Sequence, residues 1–325
     1  MKAVVYRTYG SPDVLVYIDT EKPTAADDQV LIKVCAAAVN PLDWHLMRGD
    51  PYLVRAMNGL RAPKDIRLGR DLAGVVEAVG TNVTQFAPGD EVFGTADGAL
   101  AEYACASEKE IAQKPSNLTF EQAAAVPIAA LTALQALRNK GHAHAGQKIL
   151  INGAAGGVGT FAVQIAKAFG AEVTGVCSTR NVELVRSIGA DNVIDYTNED
   201  LTKNGKRYDV IFDCIGNHSL SALRRVLDPK GTFIPIGGPV DPWMIGFFGG
   251  TISSLVSSLF TTQTLVAFFL AKINGEDLGV LRELIEAGKV TPVIDKRYPL
   301  GDVADAIRHL ETGHARGKVV ITSEK

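Results

Sequence analysis

The chain has 325 residues, and its 33 Lys and Arg against 36 Asp and Glu give a formal net charge of −3. Because this balance provides no strongly basic surface, nucleic acid is not an expected partner. A single hydrophobic core rarely serves more than about 250–300 residues, so the length predicts two domains. Four cysteines lack CxxC spacing and are expected to be reduced thiols: Cys35, Cys105, Cys177 and Cys214.

The first residues pass directly into a strand-like run at 3–7. They show neither the charged-then-apolar order of a signal peptide nor the Arg and Ser bias of a transit peptide. We therefore expect a cytoplasmic location.

Residues 1 to about 118 contain short apolar runs interrupted by Gly, Pro and Asp. The runs at 30–39, 74–79, 90–94 and 99–104 predict strands of a mainly antiparallel, barrel-like domain.

The pattern changes at Leu118, where Thr119 and Gln122 form a predicted capping box before an alanine-rich helical segment. From Lys148 strands and helices alternate, which predicts a doubly wound parallel sheet. The last residues do not continue this alternation and are expected to return to the first domain. The predicted domains are residues 1–122 with 272–325, and residues 123–271.

A glycine-rich turn lies inside the predicted βαβ unit of residues 148–177. The apolar run before it is a strand, and Gly156, Gly157 and Gly159 allow a close approach of the main chain to an anion. The free N–H groups of the following helix make the turn a predicted pyrophosphate site, contributed by Ala155, Gly156, Gly157 and Val158. A glycine turn that binds nothing is the alternative.

The residues after the second strand of this unit indicate the choice of cofactor. NAD enzymes place a carboxylate there for the ribose 2′-hydroxyl, whereas this chain has Ser178, Thr179 and Arg180. A guanidinium suits a 2′-phosphate, so we expect NADPH over NADH. Alternatively, Arg180 is a solvated charge near the start of the next helix.

Residues 242–271 form a long uncharged stretch that serines and threonines interrupt. Its two continuously apolar runs, at 243–250 and 265–271, are too short to span a membrane. We interpret the first as a wall of an apolar substrate cleft and the second as a sheet strand that pairs at an oligomer interface. Weak association with a membrane surface is the alternative.

Over almost its whole length the sequence resembles the medium-chain dehydrogenase/reductase superfamily, and within it the zinc-free quinone oxidoreductase (zeta-crystallin-like) branch. The resemblance rests on seven motifs: AVNPLDWHLMRGD (38–50), LGRDLAGVVEAVG (68–80), FAPGDEVFG (86–94), ALTALQAL (130–137), NGAAGGVG (152–159), IGADNVIDY (188–196) and HARGKVVI (314–321). It implies an α/β fold with a GroES-like, mainly antiparallel β-barrel domain and a doubly wound Rossmann domain.

The resemblance also implies a zinc-free site. Where zinc-dependent relatives hold the catalytic metal with Cys, His and Cys, this chain has Asn40, Arg70 and approximately Ile128. These residues are not zinc ligands, so no metal is expected. Without a Lewis acid, hydride addition to a conjugated acceptor is easier than alcohol oxidation, because it leaves a delocalised oxyanion that hydrogen-bond donors can stabilise.

Three residues of the first motif region are candidate catalytic groups. Asn40 is expected near the nicotinamide, Asp43 could orient Asn40 or a water, and Tyr52 could donate to the substrate carbonyl. The alternatives are a turn Asn before Pro41, a helix N-cap at Asp43 and a tyrosine that only packs.

Further residues are implied at the cofactor. Tyr196 matches the position beside the adenosine phosphate, or is simply a strand-end aromatic. Gly237 ends a strand where the nicotinamide would lie, and the HARGK motif returns to the cofactor. The full predicted cofactor set is Asn40, Ala155, Gly156, Gly157, Val158, Ser178, Arg180, Tyr196, Gly237, His314 and Arg316.

We therefore expect a zinc-independent, NADPH-dependent oxidoreductase that reduces quinones or α,β-unsaturated carbonyl compounds, and a homodimer. Two alternatives stay open. One is a nucleotide-binding interaction or structural protein without turnover. The other is an alcohol dehydrogenase with an atypical metal site.

Overall fold

The computed structural model describes residues 1–238, 262–267 and 269–323. Its strands are β1 (Lys2–Tyr6), β2 (Leu15–Asp19), β3 (Gln29–Val39), β4 (Asp71–Val79), β5 (Glu91–Thr95), β6 (Tyr103–Ser107), β7 (Ile111–Gln113), β8 (Lys148–Asn152), β9 (Glu172–Cys177), β10 (Asn192–Asp195), β11 (Tyr208–Asp213), β12 (Leu227–Pro235), β13 (Thr264–Leu265), β14 (Ile294–Pro299) and β15 (Lys318–Thr322). Its α-helices are α1 (Pro41–Arg48), α2 (Tyr52–Asn58), α3 (Phe120–Ala124), α4 (Pro127–Gln135), α5 (Gly157–Ala168), α6 (Val182–Ser187), α7 (Leu220–Val226), α8 (Gly275–Glu286) and α9 (Val303–Glu311).

The chain divides into two compact units. The first comprises residues 1–131, 272–287 and 292–325, and the second comprises residues 132–271 and 288–291. The boundaries predicted from the sequence, which separate domains at 122 and 271, stay a prediction.

The first unit is built on a seven-stranded sheet. Its path is β14-β15-β3-β4-β5-β7, with β6 also paired to β3. All of these pairings are antiparallel except the one between β14 and β15. Because Val319 pairs with Val39, the last strand of the chain lies beside the strand that leads into α1.

The second unit contains a six-stranded sheet in the order β10-β9-β8-β11-β12-β13, and every pairing in it is parallel. The middle residues of its central strands, at 149–151 and 210–212, are buried and apolar, as expected where helices cover both faces. Parallel strands bring their carboxyl ends to one edge, so the turns after β8, β9, β10, β11 and β12 lie along the same edge.

Two predicted strands differ from the structure. The run at 99–104 becomes a strand only from Tyr103, because Ala99 and Leu100 donate their N–H groups to the carbonyls of Gly69 and Leu68 and so form a connection. Of the described residues in the run at 265–271, Leu265 alone lies in a strand, the two-residue β13.

The run at 243–250 lies outside the described residues. No helix among the residues that the structure describes has the length and apolar character needed to cross a membrane.

Candidate active site

The glycine turn joins β8 to α5, and its shape depends on the backbone conformations that glycine allows. Gly153 has a φ of +84°, and Gly156 is the extended N-cap of the twelve-residue helix. A Cβ added to Gly159 would lie 2.1 Å from the carbonyl oxygen of Gly153, so the helix and the strand end approach at a distance that only glycine permits. The turn therefore keeps the first N–H groups of α5 close to the strand end.

These features fit a dinucleotide pyrophosphate. The first turn of a helix has N–H groups without intrahelical acceptors, and the positive end of the helix dipole adds to their attraction for an anion. Gly156, Gly157 and Val158 are half-buried, whereas the preceding Ala155 is buried. The donors of this site belong to the main chain.

The end of β9 leads into a short 3-10 turn, Thr179–Asn181, which carries the exposed Arg180. The Thr179 hydroxyl donates to Asp195 at 2.6 Å, where Asp195 ends the neighbouring strand β10 and pairs with Cys177. An acidic residue, Asp195, thus lies beside the predicted 2′-phosphate position. It belongs to β10, whereas NAD enzymes have their carboxylate at the end of the strand that corresponds to β9.

The Asp195 carboxylate is surrounded by donors. Besides Thr179, it accepts hydrogen bonds from the hydroxyl and N–H of Thr197 and from the side chain of Asn198. These hydrogen bonds, that of Thr179 first, hold the pKa of Asp195 below its usual value. Its acceptor capacity is therefore largely used within the loop.

Other predicted cofactor residues lie along the same sheet edge. Ser178 follows β9, and Tyr196, with 55% of its surface exposed, follows β10. A Cβ on Gly237 would be 2.4 Å from the carbonyl oxygen of Cys214, which explains a glycine after β12. His314 and Arg316 are exposed residues of the first unit, just before β15.

A buried polar pair at this edge was missed by the sequence analysis. The Asn152 side chain, at the end of β8, donates to Asp213 at 2.9 Å, at the end of β11, and to Asn217 at 3.0 Å. The same Asp213 oxygen accepts the N–H groups of Ile215 and Gly216, both at 3.0 Å. The signal was present, since a polar residue closes each of two apolar strands.

The pair of Asn152 and Asp213 also affects the position of the glycine turn, through the loop after β11. Asp213 fixes the loop after β11, and a Cβ on Gly153 would lie 2.8 Å from the side chain of Ile215 in that loop. The loop and the turn are therefore in direct contact, and Asp213 sets the position of one against the other.

In the first unit, Asn40 and Asp43 lie where β3 passes into α1. The N–H of Asn40, the helix N-cap, donates to an Asp43 oxygen at 2.6 Å. Asp43 is fully buried, and its other oxygen has no hydrogen-bond partner among the described residues. Burial, helped by the nearby charge of Asp71, raises the pKa of Asp43 to about 7.

The side chain of Asn40 belongs to a second set of contacts. Its Nδ2 donates to Asp71 Oδ2 at 2.9 Å, and its Oδ1 accepts from Lys318 Nζ. Lys318 Nζ also lies 3.1 Å from Asp71 Oδ2, and the other Asp71 oxygen accepts the N–H of Ile128 at 3.0 Å. Sequence reasoning missed Asp71 and Lys318, although both lie in motifs that carried the resemblance.

The positions aligned with zinc ligands have other contacts here. Arg70 pairs with Asp97, and the N–H of Ile128 donates to Asp71. Within the described ranges, no three His, Cys, Asp or Glu residues are grouped closely enough to hold a metal ion.

The third catalytic candidate, Tyr52, is the first residue of α2 and is 42% exposed. The guanidinium of Arg55 lies 5.1 Å from the centroid of the Tyr52 ring, and a hydrogen bond joins the other two candidates, Asn40 and Asp43.

A Rossmann-type parallel sheet with a glycine turn before its first helix, in a chain that also has a mainly antiparallel unit, defines the fold of a dinucleotide-dependent oxidoreductase. Residues 26–116 match the alcohol dehydrogenase GroES-like domain, and residues 188–321 match the zinc-binding dehydrogenase model. The two-domain α/β prediction is confirmed.

Curated relatives and solved structures are similar over nearly the whole chain. The bovine NAD(P)H oxidoreductase RTN4IP1, mitochondrial, is 38% identical and covers 99% of this chain and 89% of the relative. The NADPH-dependent alkenal/one oxidoreductase, chloroplastic, of Arabidopsis thaliana is 39% identical, covering 99% and 79%. The quinone oxidoreductase structure from Coxiella burnetii has a TM-score of 0.86 at 32% identity, covering 100% and 99%.

The chain belongs to the medium-chain dehydrogenase/reductase superfamily, in its zinc-free quinone oxidoreductase branch. The same comparison overturns the predicted cytoplasmic location, because these relatives are named mitochondrial and chloroplastic. The absence of a recognisable targeting pattern at residues 1–7 was the wrong basis for that expectation.

Proposed function

We propose that this protein is an NADPH-dependent oxidoreductase that reduces quinones or α,β-unsaturated carbonyl compounds by hydride transfer. The observation that carries the proposal is the glycine turn before α5, whose close approach to β8 only glycine at position 159 permits. Relatives named as NADPH-dependent alkenal/one and quinone oxidoreductases support the substrate classes.

The residues proposed to hold NADPH are those that the sequence predicts. Main-chain N–H groups of Gly156, Gly157 and Val158, beside Ala155, would bind the pyrophosphate. Ser178 and Arg180 would bind the 2′-phosphate, because a guanidinium offers several donors to a phosphate. The remaining contacts are proposed for Asn40, Tyr196, Gly237, His314 and Arg316. When bound, NADPH supplies the hydride.

The proposed catalytic residues act on the acceptor. Reduction of a conjugated acceptor places negative charge on its oxygen, and a positioned N–H or O–H donor stabilises that charge. Asn40 offers an amide N–H, and Tyr52 offers a phenolic O–H from the start of α2. Asp43 holds the backbone of Asn40 through a hydrogen bond of 2.6 Å.

We expect purified protein to oxidise NADPH when a para-quinone or an enone is present, and to do so better than with NADH. The measurement is the fall in absorbance at the reduced nicotinamide band with a panel of quinones, enones and saturated aldehydes. Tight binding of NADPH without turnover across the panel would instead support a nucleotide-binding protein, and zinc bound at one ion per chain would support an alcohol dehydrogenase.

The variant Arg180→Ala serves as the control for the cofactor assignment. It should raise KM for NADPH about tenfold or more, because one or two charge-assisted hydrogen bonds to the 2′-phosphate are lost. KM for NADH should stay nearly unchanged. An equal loss with both cofactors would contradict a contact between Arg180 and the 2′-phosphate.

We also propose a homodimer formed along the edge of the six-stranded sheet. Among the described residues the sheet ends at β13, which pairs on one side with β12, and edge strands offer backbone groups to a second chain. Light scattering on the purified protein should give twice the mass of one chain. A single-chain mass at micromolar concentration would contradict the dimer.

A further inference from the structure

Lys318 is a buried cation that has no role in the hydride transfer proposed above. Its side chain is 3% exposed, and its ion-pair partner Asp71 is completely buried. The ammonium also contacts the side-chain oxygen of Asn40 and lies 3.4 Å from the carbonyl oxygen of Val39. Burying an ion pair is costly unless its partners are well placed, so this arrangement calls for a reason beyond stability.

The chemistry of the two charged groups fixes the direction of the Asn40 amide. An ammonium can only donate hydrogen bonds, and an ionised carboxylate can only accept them. The amide oxygen must therefore face Lys318, and its NH₂ group must face Asp71. Rotating the amide by half a turn would bring its N–H groups against the ammonium and its oxygen against the carboxylate.

This arrangement leaves one donor. Asn40 Nδ2 carries two hydrogens, and one of them is used by Asp71 at 2.9 Å. The second has no acceptor among the described residues. Since the backbone of Asn40 is also held, through Asp43, the direction of this remaining N–H is determined by both its side-chain and its main-chain contacts.

We propose that Lys318, acting with Asp71, is a positioning residue that directs the second N–H of Asn40 to the oxygen of the substrate. This inference rests on the proposed function. Lys318 itself touches neither substrate nor cofactor in this role. Its effect is to stop the amide from presenting its oxygen, which would repel the developing oxyanion.

The test uses two variants of the full-length protein. Lys318→Met leaves Asp71 as a buried charge without a partner, and this variant is expected to be strongly destabilised. The double variant Lys318→Met with Asp71→Asn removes both charges, so its melting temperature should recover. An Asn at position 71 can donate or accept, and the amide of Asn40 therefore loses its fixed direction.

We expect kcat of the double variant for a para-quinone and for an enone to fall about 10²-fold, the loss typical of one oxyanion donor. The affinity for NADPH should fall much less, because Asn40 is one of eleven residues proposed to contact the cofactor. A purely structural ion pair predicts that kcat recovers together with the melting temperature. A folded double variant with wild-type kcat would overturn the inference.

Lys114→Met is the matched control. Lys114 is a buried lysine of the same unit that contacts the carboxylate of Glu91 at 3.2 Å and the carbonyl of Leu118 at 2.7 Å. It has no contact with Asn40, so its loss should lower the melting temperature and leave kcat unchanged. A similar fall in kcat in this control would show that any lost buried lysine impairs the enzyme, and would count against the inference.

A crystal structure of the wild-type protein with NADPH and an unreactive quinone analogue provides a test that needs no variant to fold. The analogue oxygen should lie about 3 Å from Asn40 Nδ2, a normal hydrogen-bond distance. An oxygen placed elsewhere would overturn the inference. If instead the wild type oxidises no NADPH with any acceptor, the proposed function itself fails.

Discussion

Replacing Gly159 by alanine is expected to abolish measurable NADPH binding and to destabilise the second unit. The new Cβ would lie 2.1 Å from the Gly153 carbonyl oxygen and 2.9 Å from Ala154 Cα, and both obstacles are main-chain atoms. Because main chain cannot rotate away as a side chain can, α5 must move from the strand end. We expect a loss of about 1–3 kcal/mol in the free energy of unfolding, as for other overpacked sites.

The measurement combines urea unfolding with titration of NADPH fluorescence, and Gly279→Ala is its control. Gly279 lies inside α8, and a Cβ there would meet no atom within 4 Å. Alanine should therefore stabilise this helix by about 0.5–1 kcal/mol, and NADPH affinity should not change. Normal NADPH affinity in Gly159→Ala would refute the pyrophosphate site.

The second large effect is a dependence of stability on pH that originates at Asp43. Its pKa of about 7 in the folded protein exceeds the usual value of 3.8. The folded state therefore binds the proton more tightly than the unfolded state, and the stabilisation is complete below about pH 4 and is lost as the pH rises through 7. At about 1.4 kcal/mol per pKa unit, the loss between pH 5 and pH 8 is about 3 kcal/mol.

Charged and titratable groups face Asp43 from several elements, and they act in opposite directions. Asp71 raises its pKa, whereas Lys318 and Arg70 lower it, and the phenol of Tyr6 on β1 also senses the Asp43 charge. Burial outweighs these contributions. The sign of the effect is therefore that of a buried carboxyl and opposite to that of an ordinary ion-paired aspartate.

The measurement is the free energy of unfolding in urea from pH 5 to pH 8.5 for the wild type and Asp43→Asn. The variant cannot titrate, so its stability relative to the wild type should increase by about 3 kcal/mol over this range. The buried amide in this variant lacks a partner and lowers the free energy of unfolding by the same amount at every pH. It therefore shifts the plot of stability against pH without changing its slope. Asp200→Asn is the control, because the pKa of Asp200 is held well below its usual value by hydrogen bonds from Thr202. Parallel curves for the wild type and Asp43→Asn would contradict the raised pKa.

The two parts of the candidate site differed in how far they could be predicted. In the dinucleotide part, the glycine turn and the helix after it were predicted, because glycine sterics and apolar runs act between neighbours in the chain, and α5 does begin after Gly156. The acid beside that part was missed. Asp195 comes from the next strand, and only the pairing of β10 with β9 brings it to Thr179.

The catalytic part was predicted only as single residues. Asn40 and Asp43 were proposed from the motif that contains them, but their partners were not. Asp71 and Lys318 stand in the motifs GRD and GKVVI, yet nothing local in either motif indicates a buried ion pair. The location within the cell was predicted wrongly, because the prediction relied on the lack of a targeting pattern in the first residues.

The sequence by itself determined the second unit's alternation of strands and helices, its glycine turn and the family to which the chain belongs. These features follow from the spacing of apolar residues and from the backbone angles that glycine allows, and both are properties of contiguous segments. The tertiary structure decided which charges meet. Lys318 and Asn40 are 278 residues apart, and they touch because β15 pairs with β3. Such pairing is driven by the burial of many apolar residues at once, so it leaves no mark in the sequence around either residue.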